Sequence, residues 1–388
     1  MQALSINGGV SAPIGFYADG IHCGLKADGK LDLAFVRSEN PCECAAVFTA
    51  NRFAAAPVLD AKKRVANKVQ AIVINTKHAN AMTGKAGEEA VRRVTAAVPF
   101  ENPISCSTGV IGAAFPTEKV LAGIAKFDWN AKNAANAAEA IKTTDRWAKE
   151  IAFLVETDRG SFKIGAMAKG AGMIAPQLAT MLCFVTTDAA LNRAALQRSL
   201  DAALHTTFNA ISVDGDMSTN DSVFVLANGA SGVADEAAFA WSLEKALKFL
   251  ALEIVRDGEG ASKVAAFEVR GAASAEDAKI AAKALSRSLL VKTALFGSDP
   301  NWGRLASTIG AAQVECDPLK LTIKIGDVAV YSKGENLMTS EVEAKAAAVL
   351  CGDSFKIACD LGVGEGEFTA YGCDLGHEYV KINADYRS

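Results

Sequence analysis

The run from Lys169 to Val185 constrains this chain more than any other. Gly170, Gly172 and Pro176 stand close together, and Leu178-Ala179-Thr180 then gives way to the apolar stretch Met181-Leu182-Cys183-Phe184-Val185. Glycine and proline interrupt regular structure, and a short apolar run after them has the pattern of a buried strand. The local reading is a glycine-rich turn entered from a strand at Phe162-Lys163-Ile164-Gly165 and left through a strand at Met181 to Thr187. A second reading is open at the same residues. If the Ala179–Thr180 peptide breaks, Thr180 carries a hydroxyl and a free α-amine on one residue, a known nucleophile–base unit. Such an amine titrates near ~8 and can take a hydroxyl proton at neutral pH. The glycines at 170 and 172 permit the unusual backbone angles that favour attack of the Thr180 hydroxyl on the Ala179 carbonyl.

The chain has 388 residues, more than one core usually serves, so two or three subdomains are expected. Half of the residues are hydrophobic, 22% are charged and the net charge is −4, which supplies a core and argues against a nucleic-acid face. Nine cysteines, odd in number and scattered, read as reduced thiols of a cytosolic protein; Cys42-Glu43-Cys44 is too tight for a usual zinc pair, and no metal is expected. The first residues carry no basic segment and no long apolar run, and no apolar stretch reaches the roughly 18 residues of a membrane span. A Gly-x-Ser-x-Gly elbow, a Walker phosphate loop and a His-Glu-x-x-His motif are all missing, and the four histidines stand far apart.

Strands and helices interleave without a regular βαβ rhythm. Residues 1–75 read as short strands and turns, with Ala71-Ile72-Val73-Ile74 a buried strand. Helices are expected over 87–97, 117–126 with Thr117 as N-cap, 130–141, 191–207, 235–256 and 274–288, and strands at Val223-Phe224-Val225-Leu226 and 264–269. Composition shifts near residue 262, which marks a separate C-terminal α/β unit. Ser107-Thr108-Gly109 reads locally as a turn after a strand, Asp299-Pro300-Asn301-Trp302 as a turn with a buried tryptophan, and His78 as structural.

An ordered set of blocks carries a more specific signal. They are Ser107-Thr108-Gly109-Val110-Ile111-Gly112, Thr143-Thr144-Asp145, Ala168-Lys169-Gly170-Ala171-Gly172-Met173-Ile174 with Leu178-Ala179-Thr180-Met181-Leu182, and Thr207-Phe208-Asn209. Ser218-Thr219-Asn220-Asp221, Asp257-Gly258-Glu259-Gly260, Asp299-Pro300-Asn301-Trp302-Gly303-Arg304 and Ile382-Asn383-Ala384-Asp385-Tyr386-Arg387-Ser388 follow. Together they resemble the self-cleaving ornithine acetyltransferase (glutamate N-acetyltransferase) family of arginine biosynthesis over nearly the whole chain.

The resemblance implies a layered α/β sandwich related to the N-terminal nucleophile hydrolases, with an additional C-terminal α/β subdomain. It implies cleavage between Ala179 and Thr180 into an α chain, 1–179, and a β chain, 180–388; the latter comprises about 180–262, completing the core, and about 263–388. Thr180 is then the catalytic nucleophile, and Thr108 with Gly109 the oxyanion pair. Thr143, Lys169, Thr180, Glu259, Asn383 and Ser388 bind substrate, with Thr143 favoured over Thr144. The implied reaction moves acetyl from N2-acetylornithine to glutamate through an acetyl-threonine, with acetyl-CoA a possible further donor and no resident cofactor. The implied assembly is an α2β2 heterotetramer in the cytoplasm. An amidase or aminopeptidase of related fold, with water as acceptor, is the alternative. Ala175, Gln177, Met217 and Ser388 depart from the family's usual residues and bear on cleavage rate and substrate preference.

Overall fold

The computed structural model describes residues 1–174 and 181–385. Ala175, Gln177, Ala179, Thr180 and Ser388 lie outside the described residues. The fold is mixed α/β with two sheets. The described residues divide into two compact units, Met1–Asn209 with Asp216–Ile254, and Ala210–Gly215 with 255–385.

The sheet of the first unit contains β1 (Gln2–Ser5), β2 (Phe16–Ile21), β3 (Leu33–Phe48), β4 (Val69–Asn75), β5 (Ile104–Ser107), β6 (Lys149–Thr157), β7 (Gly160–Lys169) and β8 (Leu182–Thr187). After β9 (Ile211–Ser212), which belongs to the second unit, β10 (Ser222–Ala227) completes it. The order is β1-β6-β7-β8-β10-β3-β4-β5, with β2 also on β3. Two pairs are parallel, β8 with β10 and β4 with β5.

Residues 1–75 were expected to be short strands, but β3 runs for 16 residues. Leu33 to Arg37 pair with β4, the register slips before Cys42, and Glu43 to Phe48 pair with β10. Alternation then buries both faces. Val36, Ile72 and Ile74 join Ala137, Phe184 and Phe224 in one core, while Phe35 and Val73 join Val94, Val120, Ile124 and Phe127 in another. The sheet is thus layered between helices, Gly84–Ala96 and Thr117–Ile124 on one face and Ala134–Ala140 on the other. Phe184 and Phe224 stack at 5.8 Å with rings 3° from parallel across the β8–β10 pair.

Two helix starts differ from expectation. Pro116 takes the N-cap position and Thr117 is the first helical residue, with no side-chain cap. The helix expected from residue 130 begins at Ala134, because Ala131 and Asn133 are drawn into backbone hydrogen bonds with Ala18 at 3.1 and 2.7 Å.

The second unit contains β9, β11 (Val264–Ala272), β12 (Thr322–Ile325), β13 (Val328–Ser332), β14 (Glu335–Asn336), β15 (Ser354–Asp360) and β16 (Gly366–Cys373), in the order β14-β13-β12-β15-β11-β16-β9. Helix Ala275–Arg287, capped by the Ser274 side chain, lays Ala278, Ala281, Ala282 and Leu285 on this sheet's core. The expected turn at Trp302 is instead the start of a helix, Trp302–Ala311, capped by Asn301; half-buried Trp302 stacks on Tyr331 at 4.8 Å.

Candidate active site

Strands β4 and β5 end level with each other, Asn75 opposite Ser107, and the loops beyond them stay paired. The Thr108 N–H donates to the Asn75 carbonyl at 3.0 Å, Val110 to Lys77 at 3.0 Å and Ala79 to Val110 at 3.1 Å. Gly109 lies between these bonds with φ +129°, and a Cβ there would fall 2.3 Å from the Lys77 carbonyl carbon. Only glycine fits so close an approach in that conformation. Side chains lock the loops: the Ser107 hydroxyl donates to Asn75 Oδ1 at 2.7 Å, and Asn75 Nδ2 donates to the His78 carbonyl at 3.0 Å. Asn220 Nδ2 donates both to the Ala79 carbonyl at 2.6 Å and to the Ser107 carbonyl at 2.8 Å.

The consequence is a pair of spare donors. Among the described residues neither the Thr108 hydroxyl nor the Gly109 N–H has a hydrogen-bond partner. Thr108 is 9% exposed and Gly109 half-buried, so these groups stand on a braced loop at the edge of the core. Donors held without partners are what a developing oxyanion needs, since no reorganisation is required when the charge forms. His78 is adjacent; burial, helped by Lys119 and Lys77, pushes its imidazole below the ordinary value, and its Nδ1 is sealed without a partner.

A second group forms at the end of β7. Asp145 is buried, and its Oδ1 accepts from Lys149 Nζ at 2.8 Å and from the Gly170 N–H at 2.7 Å, while Oδ2 accepts from the Thr143 N–H at 3.0 Å. Burial acts to raise its carboxyl, but the charges of Lys169 and Lys149 outweigh that and hold it well below the usual carboxylate range. Asp145 therefore ties three predicted elements together: Thr143, Lys169 and the start of the glycine-rich run. Ile174 then bridges to Met217.

Lys169 also acts on Asp221, the residue after Asn220. Lys169 pairs with Leu182 across β7 and β8, and Leu182 pairs with Ser222 across β8 and β10. The Ser222 N–H donates to the Met181 carbonyl at 2.8 Å. Asp221 is buried with Oδ2 unpartnered, and burial raises its carboxyl well above the usual range against the opposing pull of Ser218 and Lys169. The Asn220–Asp221 step thus connects the Thr108–Gly109 loop with Lys169 and Met181. In the sequence Asp145, Asn220 and Asp221 stand only as members of longer blocks. Their signal was a polar residue beside an apolar strand, which gains meaning only once the strand order is known.

In the second unit, Asn383 Nδ2 donates to Glu259 Oε2 at 2.8 Å and to the Tyr379 carbonyl at 3.0 Å, so these two predicted residues are brought together. The structure does not place Ala179, Thr180 or Ser388, which lie outside the described residues. No three His, Cys, Asp or Glu side chains gather to hold a metal ion among the described residues, and no described helix is long and apolar enough to cross a membrane.

A chain with these features is a mixed α/β protein whose braced loop offers unfilled donors at Thr108 and Gly109. The ArgJ family matches residues 17–388, and the chain belongs to that family. It is 56% identical to the arginine biosynthesis bifunctional protein ArgJ of Wolinella succinogenes, across 99% of this chain and 98% of that one. It is 44% identical to the protein of the same description from Symbiobacterium thermophilum, across 98% and 99%. The crystal structure of arginine biosynthesis bifunctional protein ArgJ from Bacillus halodurans matches with a TM-score of 0.50 and 43% identity, covering 52% of this chain and 98% of that chain.

Proposed function

We propose that this chain is a self-cleaving acyltransferase that moves acetyl from N2-acetylornithine to glutamate, serving arginine biosynthesis as its relatives' names describe. The observation that carries the reading is the unfilled donor pair at Thr108 and Gly109, on loops braced by Asn75 and Asn220, in a chain of this family.

Self-cleavage at Ala179–Thr180 frees the Thr180 α-amine, which takes the hydroxyl proton as the oxygen attacks the acetyl carbonyl. Thr108 and Gly109 donate to the resulting oxyanion. The amide C–N bond breaks, the proton passes to the leaving nitrogen, and ornithine departs from an acetyl-threonine ester. The α-amine of glutamate then attacks this ester, giving N-acetylglutamate and restoring the hydroxyl. Lys169, whose charge acts on Asp145, binds a substrate carboxylate, together with Thr143, whose N–H donates to the same Asp145. Glu259, held by Asn383, takes the ornithine δ-ammonium, and Ser388 completes the set.

The strand order supports lasting association of the two products. Strands β8 and β10 of the C-terminal product lie between β7 and β3 of the N-terminal one, so the cut breaks no ladder pair. The proposal includes an α2β2 assembly in the cytoplasm, no resident cofactor, and acetyl-CoA as an additional donor.

Intact mass and N-terminal sequencing test it, on wild type and on Thr180→Ala. The expected result is two fragments, one starting Thr180-Met181-Leu182, with acetyl transfer from N2-acetylornithine to glutamate, and an uncut, inactive variant. A single intact chain from active wild-type protein would overturn the mechanism.

A further inference from the structure

On β6 neighbouring residues face opposite ways. Lys149 is buried against Asp145, whereas Glu150 lines a cleft of about 610 Å³. That size falls in the range of small-ligand sites. The first-unit residues Asn7, Gly9, Lys132, Asn136 and Phe249 help to enclose it.

The carboxylate of Glu150 is built into the wall and left without compensation. Gly9 has φ +45°, and a Cβ on it would lie 2.1 Å from Glu150 Oε2 and 3.0 Å from the Ala134 Cβ, so the missing side chain at position 9 is the space this oxygen fills. Oε2 is sealed from solvent and has no hydrogen-bond donor. Burial raises the Glu150 carboxyl, and no neighbouring charge opposes it. The other charged residue of the lining, Lys132, directs its ammonium at the Tyr17 ring, 5.0 Å from the centroid. An anionic group so placed is costly unless a cation joins it. Phe249, 40% exposed, offers an aromatic surface on the same cleft, suited to a flat cation or an alkyl stem.

We infer that this cleft binds a small organic cation, a guanidinium or primary ammonium group, with Glu150 as its counter-ion. The site is separate from the acetyl-transfer residues and does not depend on that reading.

Titration calorimetry of the purified protein with methylguanidinium and with n-propylammonium tests it. Neither probe carries a carboxylate for Lys169. Wild type should bind at least one of them saturably. Glu150→Gln should weaken that binding at least ~10-fold, the loss of one charge-assisted contact, while acetyl transfer is retained. Lys132→Glu, which adds a second carboxylate to the lining, should tighten binding several-fold and decides the matter if Glu150→Gln does not fold. Equal affinity in wild type and Glu150→Gln, no change with Lys132→Glu, or no saturable binding by wild type would overturn the inference.

Discussion

Asp145 and Asp221 are both buried and both feel Lys169, yet their carboxyls are driven in opposite directions. Asp145 has Lys149 in direct contact and two backbone N–H donors, so it keeps its charge. Asp221 has one unpartnered oxygen and only Ser218 and the charge of Lys169 to offset burial. The difference shows that contact donors and counter-charge, rather than depth, fix the charge state of a buried acid.

The hardest blow to that comparison is Lys149→Met. It leaves a buried carboxylate with half its compensation, and the loss should reach about 3–5 kcal/mol. Urea unfolding in a Thr180→Ala background, where one chain unfolds, measures it; a loss below about 1 kcal/mol would mean that Lys169 alone suffices. Lys169→Met should cost less in stability, since Lys149 remains, but acetyl transfer should fall roughly 10- to 100-fold through loss of a charged hydrogen bond. Steady-state kcat/KM for N2-acetylornithine reads this directly.

Asp221→Asn should have the smallest effect, within about 1 kcal/mol near pH 4, because a carboxyl raised by burial favours its proton there. Its pH dependence sharpens the contrast. A raised carboxyl contributes stability below its unfolded pKa near ~3.9 and loses it as pH rises through the folded value. Wild type should therefore lose stability relative to Asp221→Asn as pH rises above ~3.9. Asp145, held low, contributes above ~3.9 and loses that only as pH falls through its depressed value. Unfolding series of wild type against Asp221→Asn and against Asp145→Asn would show opposite slopes, and parallel slopes would refute the assigned charge states.

Much of this was legible in the sequence, for stated reasons. Continuous apolar runs marked β4, β8 and β10, and the blocks around Thr108, Lys169 and Glu259 marked the candidate residues. The length of β3 was hidden because Asn40-Pro41 reads as a turn signal. The structure absorbs it as a register slip within the β3–β4 pairing, after which β3 passes on to β10. The helix start at Ala134 was hidden because a distant strand captures the preceding residues. The hub at Asp145 was hidden because its partners come from a residue four positions on, a strand end at 169 and the turn after it.

The strand order also fixes a sequence of events. In the first sheet the inner pair β8 and β10 is contributed by the later half of the chain and is enclosed on both sides by strands of the earlier half. Residues 1–174 alone would leave β7 and β3 each with an unfilled edge, a state prone to wrong pairing. The proposed break at Ala179–Thr180 is thus harmless only once the sheet has closed, so the proposal requires folding first and scission second. A chain whose own assembled fold performs the scission has that timing built in, whereas an outside protease acting on the nascent chain would sever it too early.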